Sequence, residues 1–102
     1  MSQTLVQTKN LELTPTIEEA AQKSGQKLFR LHKDLKRIEF YLEFAGSTGH
    51  DQTISRIKLV RDGKDLFVES KDVDLYEAIR ESVKQAAKAL RREKNRLLSK
   101  TR

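Results

Sequence analysis

Apolar positions along the chain recur with two periods, and the switches between them predict six elements. Residues 3–8 (Gln-Thr-Leu-Val-Gln-Thr) read as a short first strand. Thr14-Pro15 then marks a helix start, with a hydroxyl at the N-cap, proline at the first helical position and Glu18 and Glu19 in the early turns. From there Ile17, Ala21, Ser24, Leu28 and Leu31 recur at helical spacing, predicting one buried stripe on a helix from about Pro15 to His32. Gly25 weakens this helix without breaking its period.

The period drops to two at Arg37. Ile38, Phe40, Leu42 and Phe44 alternate with Arg37, Glu39, Tyr41 and Glu43, the pattern of a half-buried strand. Ala45 to Thr53 is polar and glycine-containing, and predicts a loop. A second strand is expected over Ile54–Arg61, a turn at Asp62-Gly63 and a last strand over Lys64–Ser70 with Leu66 and Val68 inward. Asp72 or Asp74 then opens the longest helix. Leu75, Ile79, Val83, Ala86, Leu90 and Leu97 mark its apolar face, and its propensity carries it to about Leu98.

The order β-α-β-β-β-α predicts an α+β fold: a four-stranded, largely antiparallel sheet with two helices packed on one face, resembling double-stranded-RNA-binding domains. The 102 residues suit one domain, expected over residues 1–98, with residues 99–102 as a frayed tail. There are no cysteines, no stretch long enough for a membrane span and no signal-peptide pattern at Met1–Lys9, so the expected location is the cytoplasm.

Charge alters this picture through its distribution. The chain carries +6 overall. Residues 23–37 hold six basic side chains against Asp34, and residues 80–102 hold nine against Glu81 and Glu93, so the remainder is net acidic. Lys23, Lys27 and Arg30 fall at i, i+4 and i+7 on the first helix. On the last helix Arg80, Lys84, Lys88 and Arg91 form one row, and Lys88, Arg92 and Arg96 an adjoining one. Rows of like charge engage successive phosphates, whereas a merely solubilising face interleaves both signs. The expected partner is RNA recognised by its shape and backbone. Tyr41 and Phe67 are the only aromatics expected on the open sheet face, while Phe29, Phe40, Phe44 and Tyr76 are expected in or beside the core.

Catalysis finds no constellation to rest on. His32 and His50 are the only imidazoles, and neither shares a metal-ligand spacing with another candidate ligand. His32 is expected to stabilise a helix C-terminus. Glu39 and Glu43 share a strand face with Tyr41, as surface carboxylates commonly do, and no glycine pattern matches a phosphate-cradling loop. We expect no enzyme activity, no cofactor and no metal.

Several segments also resemble the ribosome hibernation promoting factor family, which includes the ribosome-associated translation inhibitors. They are Leu11-Glu-Leu-Thr-Pro15, the lysine- and leucine-rich helix after it, and Val73-Asp-Leu-Tyr-Glu-Ala-Ile79 leading into Leu90-Arg-Arg-Glu-Lys-Asn-Arg-Leu97. The resemblance spans nearly the whole chain. It implies the same β-α-β-β-β-α fold and a stress or stationary-phase factor that occupies the messenger and transfer RNA channel of the small ribosomal subunit. The residues it implies in rRNA contact are Lys23, Lys27 and Arg30, with Lys88, Arg91, Arg92, Lys94 and Arg96. Tyr76 matches a family tyrosine, read as packing first and contact second. Thr8-Lys9 stands where the family usually has glycine and a basic residue, and Lys84-Gln85 replaces a common aspartate–lysine pair. With no dimerisation domain and no extended tail after the last helix, the chain resembles the short form. The expected partner is the small subunit, with no small-molecule substrate, no membrane and a monomeric state off the ribosome. A general binder of double-stranded RNA, and an interaction module whose basic helix docks an acidic protein or a membrane, are the alternatives.

Overall fold

The computed structural model describes residues 3–47 and 50–100. Its elements are β1 (Gln3–Lys9), α1 (Pro15–Leu31), β2 (Leu35–Ser47), β3 (His50–Arg61), β4 (Leu66–Asp72) and α2 (Leu75–Lys100). They form one sheet in the order β1-β2-β3-β4. The β2–β3 and β3–β4 pairs are antiparallel and β1–β2 is parallel. That parallel pair follows from α1, because a helical crossover returns the chain to the edge it left running in the same direction.

Both helix starts are capped by side chains. The Ile17 amide donates to Thr14 Oγ1 at 3.2 Å. At α2 the cap is Asp74, whose Oδ1 accepts from the amides of Tyr76 (2.8 Å) and Glu77 (3.4 Å). Asp72 supports it one step upstream, its Oδ1 accepting from the Asp74 amide at 2.9 Å. Both aspartates weighed from the sequence therefore take part, in different roles.

The two helices lie on the same side of the sheet, α1 over β1 and β2 and α2 over β3 and β4. Because β2 and β4 run in the same direction, α1 and α2 both run back against them and are parallel to each other. Ile38, Phe40, Leu42, Ile57 and Leu59 rise from the sheet into this layer and are essentially fully buried. Facing them on α2 is a row of small residues, Ala78, Ser82 and Ala86, all with no exposed surface, which brings the helix axis close to β3. Ser82 Oγ donates to the Ile79 carbonyl and shares a 2.8 Å hydrogen bond with Ser55 Oγ, so this fully buried polar pair is satisfied.

Five sequence expectations differ from the structure. Residues 45–53 are not a loop: Ala45 pairs with Gln52, Gly46 with Asp51 and Ser47 with His50, continuing the β2–β3 hairpin. This ribbon runs past the ends of β1 and β4, beyond reach of the helices, so no apolar alternation is required of it and none was visible. For the same reason Phe44 is not core; it is 36% exposed and its ring lies against Gly46. On α1 the buried positions are Ile17, Ala21, Gly25 and Leu28, whereas Ser24 is only half-buried and Leu31 is exposed. Tyr76 is 46% exposed, since the first turn of α2 turns Leu75, Ala78 and Ile79 inward instead. The last strand starts two residues later than expected, after a connection over residues 62–65 in which Gly63 takes a φ of 94°. The expected inward side chain of Leu97, and residues 101–102 of the expected tail, lie outside what is described.

Candidate nucleic-acid interface

The parallel course of the helices sets the geometry of the charged surface. Lys27 from α1 and Arg80, Lys84 and Arg91 from α2 line one groove between the helices. Leu28, Leu31, Val83 and Ala87 contribute its apolar lining, and Glu81 is the one acidic side chain there. Exposed Leu31 thus has a place, on the wall of the groove. Lys23 and Arg30 lie one turn before and one turn after Lys27, on the outer surface of α1.

The ten predicted contact residues do not form a single array. With 100° of rotation per residue, Arg80, Lys84, Arg91 and Lys94 share the flank of α2 nearest α1, Lys88 stands on the outward crest beside them, and Arg92 and Arg96 turn to the opposite flank. Three of the ten are engaged by neighbouring carboxylates: Lys23 by Glu19 (3.1 Å), Arg80 by Glu77 (2.6 Å) and Arg96 by Glu93 (2.9 Å). These pairs are solvent-exposed on the cationic side and add little stability, so a phosphate can displace them at small cost. Among the described residues, Lys27, Arg30, Lys84, Lys88, Arg91, Arg92 and Lys94 have no ion-pair partner. Beyond α1, the basic run loses Lys36 to Asp62 (2.9 Å) and Arg37 to Glu39 (2.9 Å).

Glu93 is the residue whose role the sequence obscured. It counts against the positive charge of α2, yet its side chain is only 17% exposed and points back toward the sheet. There it meets Arg61 at 3.6 Å, while Arg61 also donates to Asp34 Oδ2 at 3.1 Å and to the Lys64 carbonyl at 3.3 Å. Arg61, 7% exposed, therefore ties the α1–β2 link, the β3–β4 turn and α2 together. The Arg96 hydrogen bond, aided by Arg61, holds the Glu93 carboxyl below its usual range. The outward surface of α2 is accordingly more basic than its composition. Nothing in the local pattern distinguishes an inward Glu93 from an outward one; only the partner arginine 32 positions away in the sequence does.

His32 caps the C-terminal end of α1, near Arg91 and Lys94 of α2. Burial lowers its pKa from the usual 6.5, Asp34 opposes the shift, and the nearby positive charges of Lys94 and Arg91 add to it. His32 is therefore neutral at pH 7, and its stabilising part at the helix end is played by its backbone N–H, which donates to the Leu28 carbonyl at 3.0 Å.

The open sheet face is charged differently. Arg56 lies between Glu43 and Glu69, each at 3.0 Å, and Lys9 approaches Glu43 at 4.0 Å. Tyr41 donates its hydroxyl proton to Glu39, which lowers the Glu39 pKa and raises that of Tyr41. Acidic and basic side chains interleave on this face, whereas on the helix face the bases stand largely unopposed. Among the described residues no group of histidines and carboxylates could hold a metal ion, and no helix is long and apolar enough to cross a membrane.

A family model described as Sigma 54 modulation protein / S30EA ribosomal protein matches residues 5–98. Among solved structures, the N-terminal domain of Thermus thermophilus Protein Y is similar, with a TM-score of 0.73 and 28% identity, over 87% of this chain and 93% of that one. A structure titled as a ribosomal subunit interface protein from Coxiella burnetii shares the fold at a TM-score of 0.72 and 13% identity, over 91% of this chain and 98% of that one. No curated protein sequence gives a significant match.

Proposed function

The chain belongs to the Sigma 54 modulation protein / S30EA ribosomal protein family, and from that premise we propose that it is a ribosome hibernation factor acting in the cytoplasm. It occupies the messenger and transfer RNA channel of the small ribosomal subunit and inhibits translation during stress or stationary phase. The observation that carries this reading is the groove between two parallel helices, where Lys27, Arg80, Lys84 and Arg91 converge with one opposing carboxylate. Such a groove fits a folded RNA backbone: each phosphate neutralised releases counterions, and the apolar lining takes the faces of the sugars. Lys23 and Arg30 extend the contact along α1, and Lys88, Arg92, Lys94 and Arg96 extend it around α2. Binding by occupancy needs no reacting group, cofactor or metal, and the protein acts as a monomer off the ribosome.

Sedimentation through a sucrose gradient tests the reading. The protein should travel with small subunits and inhibit translation in a cell extract; free migration at low salt would overturn it. The triple variant Lys88→Glu, Arg91→Glu, Arg92→Glu should lose binding with its fold intact, because all three side chains are exposed. A second reading, general binding of double-stranded RNA, draws on the two parallel helices over three antiparallel strands. It predicts that a plain RNA duplex competes with the ribosome at comparable concentration, and the proposed reading predicts that it does not.

A further inference from the structure

The face of the sheet opposite the helices carries an exposed aromatic cluster that binding through the helices leaves unused. Phe67 on β4 is 71% exposed, the most exposed aromatic ring among the described residues. An isolated surface phenylalanine is unremarkable. Its surroundings set this one apart. Lys58 lies directly opposite on β3 with its ammonium 5.9 Å from the ring centroid, and Tyr41 and Arg56 form the next cross-strand pair. Tyr41, Arg56, Lys58, Phe67 and Glu69 line a shallow groove of about 550 Å³, within the size range of small-ligand sites.

The flat groups in this groove are held before any ligand arrives. The hydroxyl of Tyr41 is tied to Glu39, and the guanidinium of Arg56 is fixed between Glu43 and Glu69. Tyr41 and Phe67 stand two strands apart, roughly 10 Å, with Arg56 between them. Rings and a guanidinium plane presented on an open sheet are the means by which proteins stack unpaired bases. The charge excludes a continuous phosphate track here, since Glu39, Glu43 and Glu69 nearly offset the neighbouring bases. A single nucleotide fits the balance. Its base stacks on Phe67, its exocyclic groups meet Arg56 and Glu69, and its phosphate takes Lys58, whose present partner Asp65 is 3.9 Å away. Lys71, on the same face and with no ion pair among the described residues, lies further along β4 for a second phosphate.

We infer that the open face of the sheet is a second RNA site, which stacks an unpaired base of a single-stranded segment on Phe67 beside Lys58 and Arg56. This site is on the opposite side of the sheet from the helical groove, so the molecule can touch two RNA elements at once.

The experiment titrates the full chain with a single-stranded adenylate hexanucleotide at moderate salt, followed by NMR and by anisotropy of a labelled oligonucleotide. Upfield ring-current shifts of adenine protons and perturbed Tyr41 and Phe67 ring signals are expected. Phe67→Ala should weaken the oligonucleotide roughly 5- to 100-fold, the usual range for losing one stacked base, and Phe67→Tyr should retain it. Because Phe67 is exposed, neither change threatens the fold. Lys84→Glu with Arg91→Glu should leave the Phe67 signals responding to the oligonucleotide, which separates this site from the helical groove. Equal affinity in Phe67→Ala, or shifts confined to the helices, would overturn the inference. So would Phe67-dependent binding of RNA-free ribosomal proteins without any response to the oligonucleotide, which would make the face a protein-docking surface.

Discussion

His32 shows how one residue reports on the charged surface around it. Its lowered pKa arises first from burial and then from Lys94 and Arg91, against the pull of Asp34. The unfolded chain therefore takes up this proton first as pH falls. Stability declines from about pH 6.5 down to the folded-state midpoint and is flat below it, as far as this group is concerned. Arg91→Ala should raise the His32 midpoint followed by NMR titration, and an unchanged midpoint would mean that the Arg91 charge does not reach His32. Ser55 and Ser82 make a different kind of point. Both hydroxyls are wholly buried and bonded to each other. Ser55→Ala leaves Ser82 with its bond to the Ile79 carbonyl, whereas Ser82→Ala strands the Ser55 hydroxyl. We expect Ser82→Ala to cost about 1–3 kcal/mol in chemical denaturation, and Ser55→Ala less. The double variant should be no less stable than Ser82→Ala alone, because the stranded group is then gone.

At the scale of elements, α1 lies where it does because Gly25 has no side chain. A Cβ there would overlap Thr4 Oγ1 and crowd its methyl group, so the helix could not approach β1. The Gln22 amide reinforces the contact by donating to the Thr4 carbonyl at 2.8 Å. Gly25→Ala gains about 1 kcal/mol of helix propensity but overpacks the contact, and thermal unfolding should register a net loss of about 1–2 kcal/mol. In a Thr4→Ala background the same change should cost less, since the overlap with Oγ1 and the methyl group is gone and only the β-carbon of residue 4, 3.1 Å from the added one, still crowds it. The sequence shows Gly25 only as a weak spot in a helix; that it is buried depends on a strand 21 residues away. Where each element meets the core, the sequence pattern was sufficient: the alternation of Ile38, Phe40 and Leu42 and the caps at Thr14 and Asp74 all reappear in the structure. Where an element leaves the core the pattern lapses, and residues 45–53 have the composition of a loop although backbone pairing continues through Ala45–Ser47 and His50–Thr53. The candidate site was legible to the same degree. Helical spacing identified the cations, but not which row of α2 faces α1, because that is fixed by the rotation that buries Ala78, Ser82 and Ala86.

The whole molecule is flat, 54 × 27 × 17 Å, with bases largely unopposed on its helix side and paired charges on its sheet side. Those two faces should respond to salt in different ways. A contact that neutralises phosphates releases counterions, so binding falls steeply with ionic strength, and each cation removed lowers that slope by about one. Lys27→Gln, Lys84→Gln and Arg91→Gln, introduced one after another, should therefore flatten the salt dependence of small-subunit binding stepwise. Lys88→Gln and Arg92→Gln should do so only if the subunit also reaches the outward crest and opposite flank of α2, which makes the slope a map of how far the RNA wraps around that helix. Arg56→Gln is the internal control. Its charge is already shared between Glu43 and Glu69, so removing it should leave the slope unchanged. Equal flattening by Arg56→Gln and Arg91→Gln would mean that the partner senses only net charge, and the division of the molecule into an RNA-backbone face and a compensated face would fail.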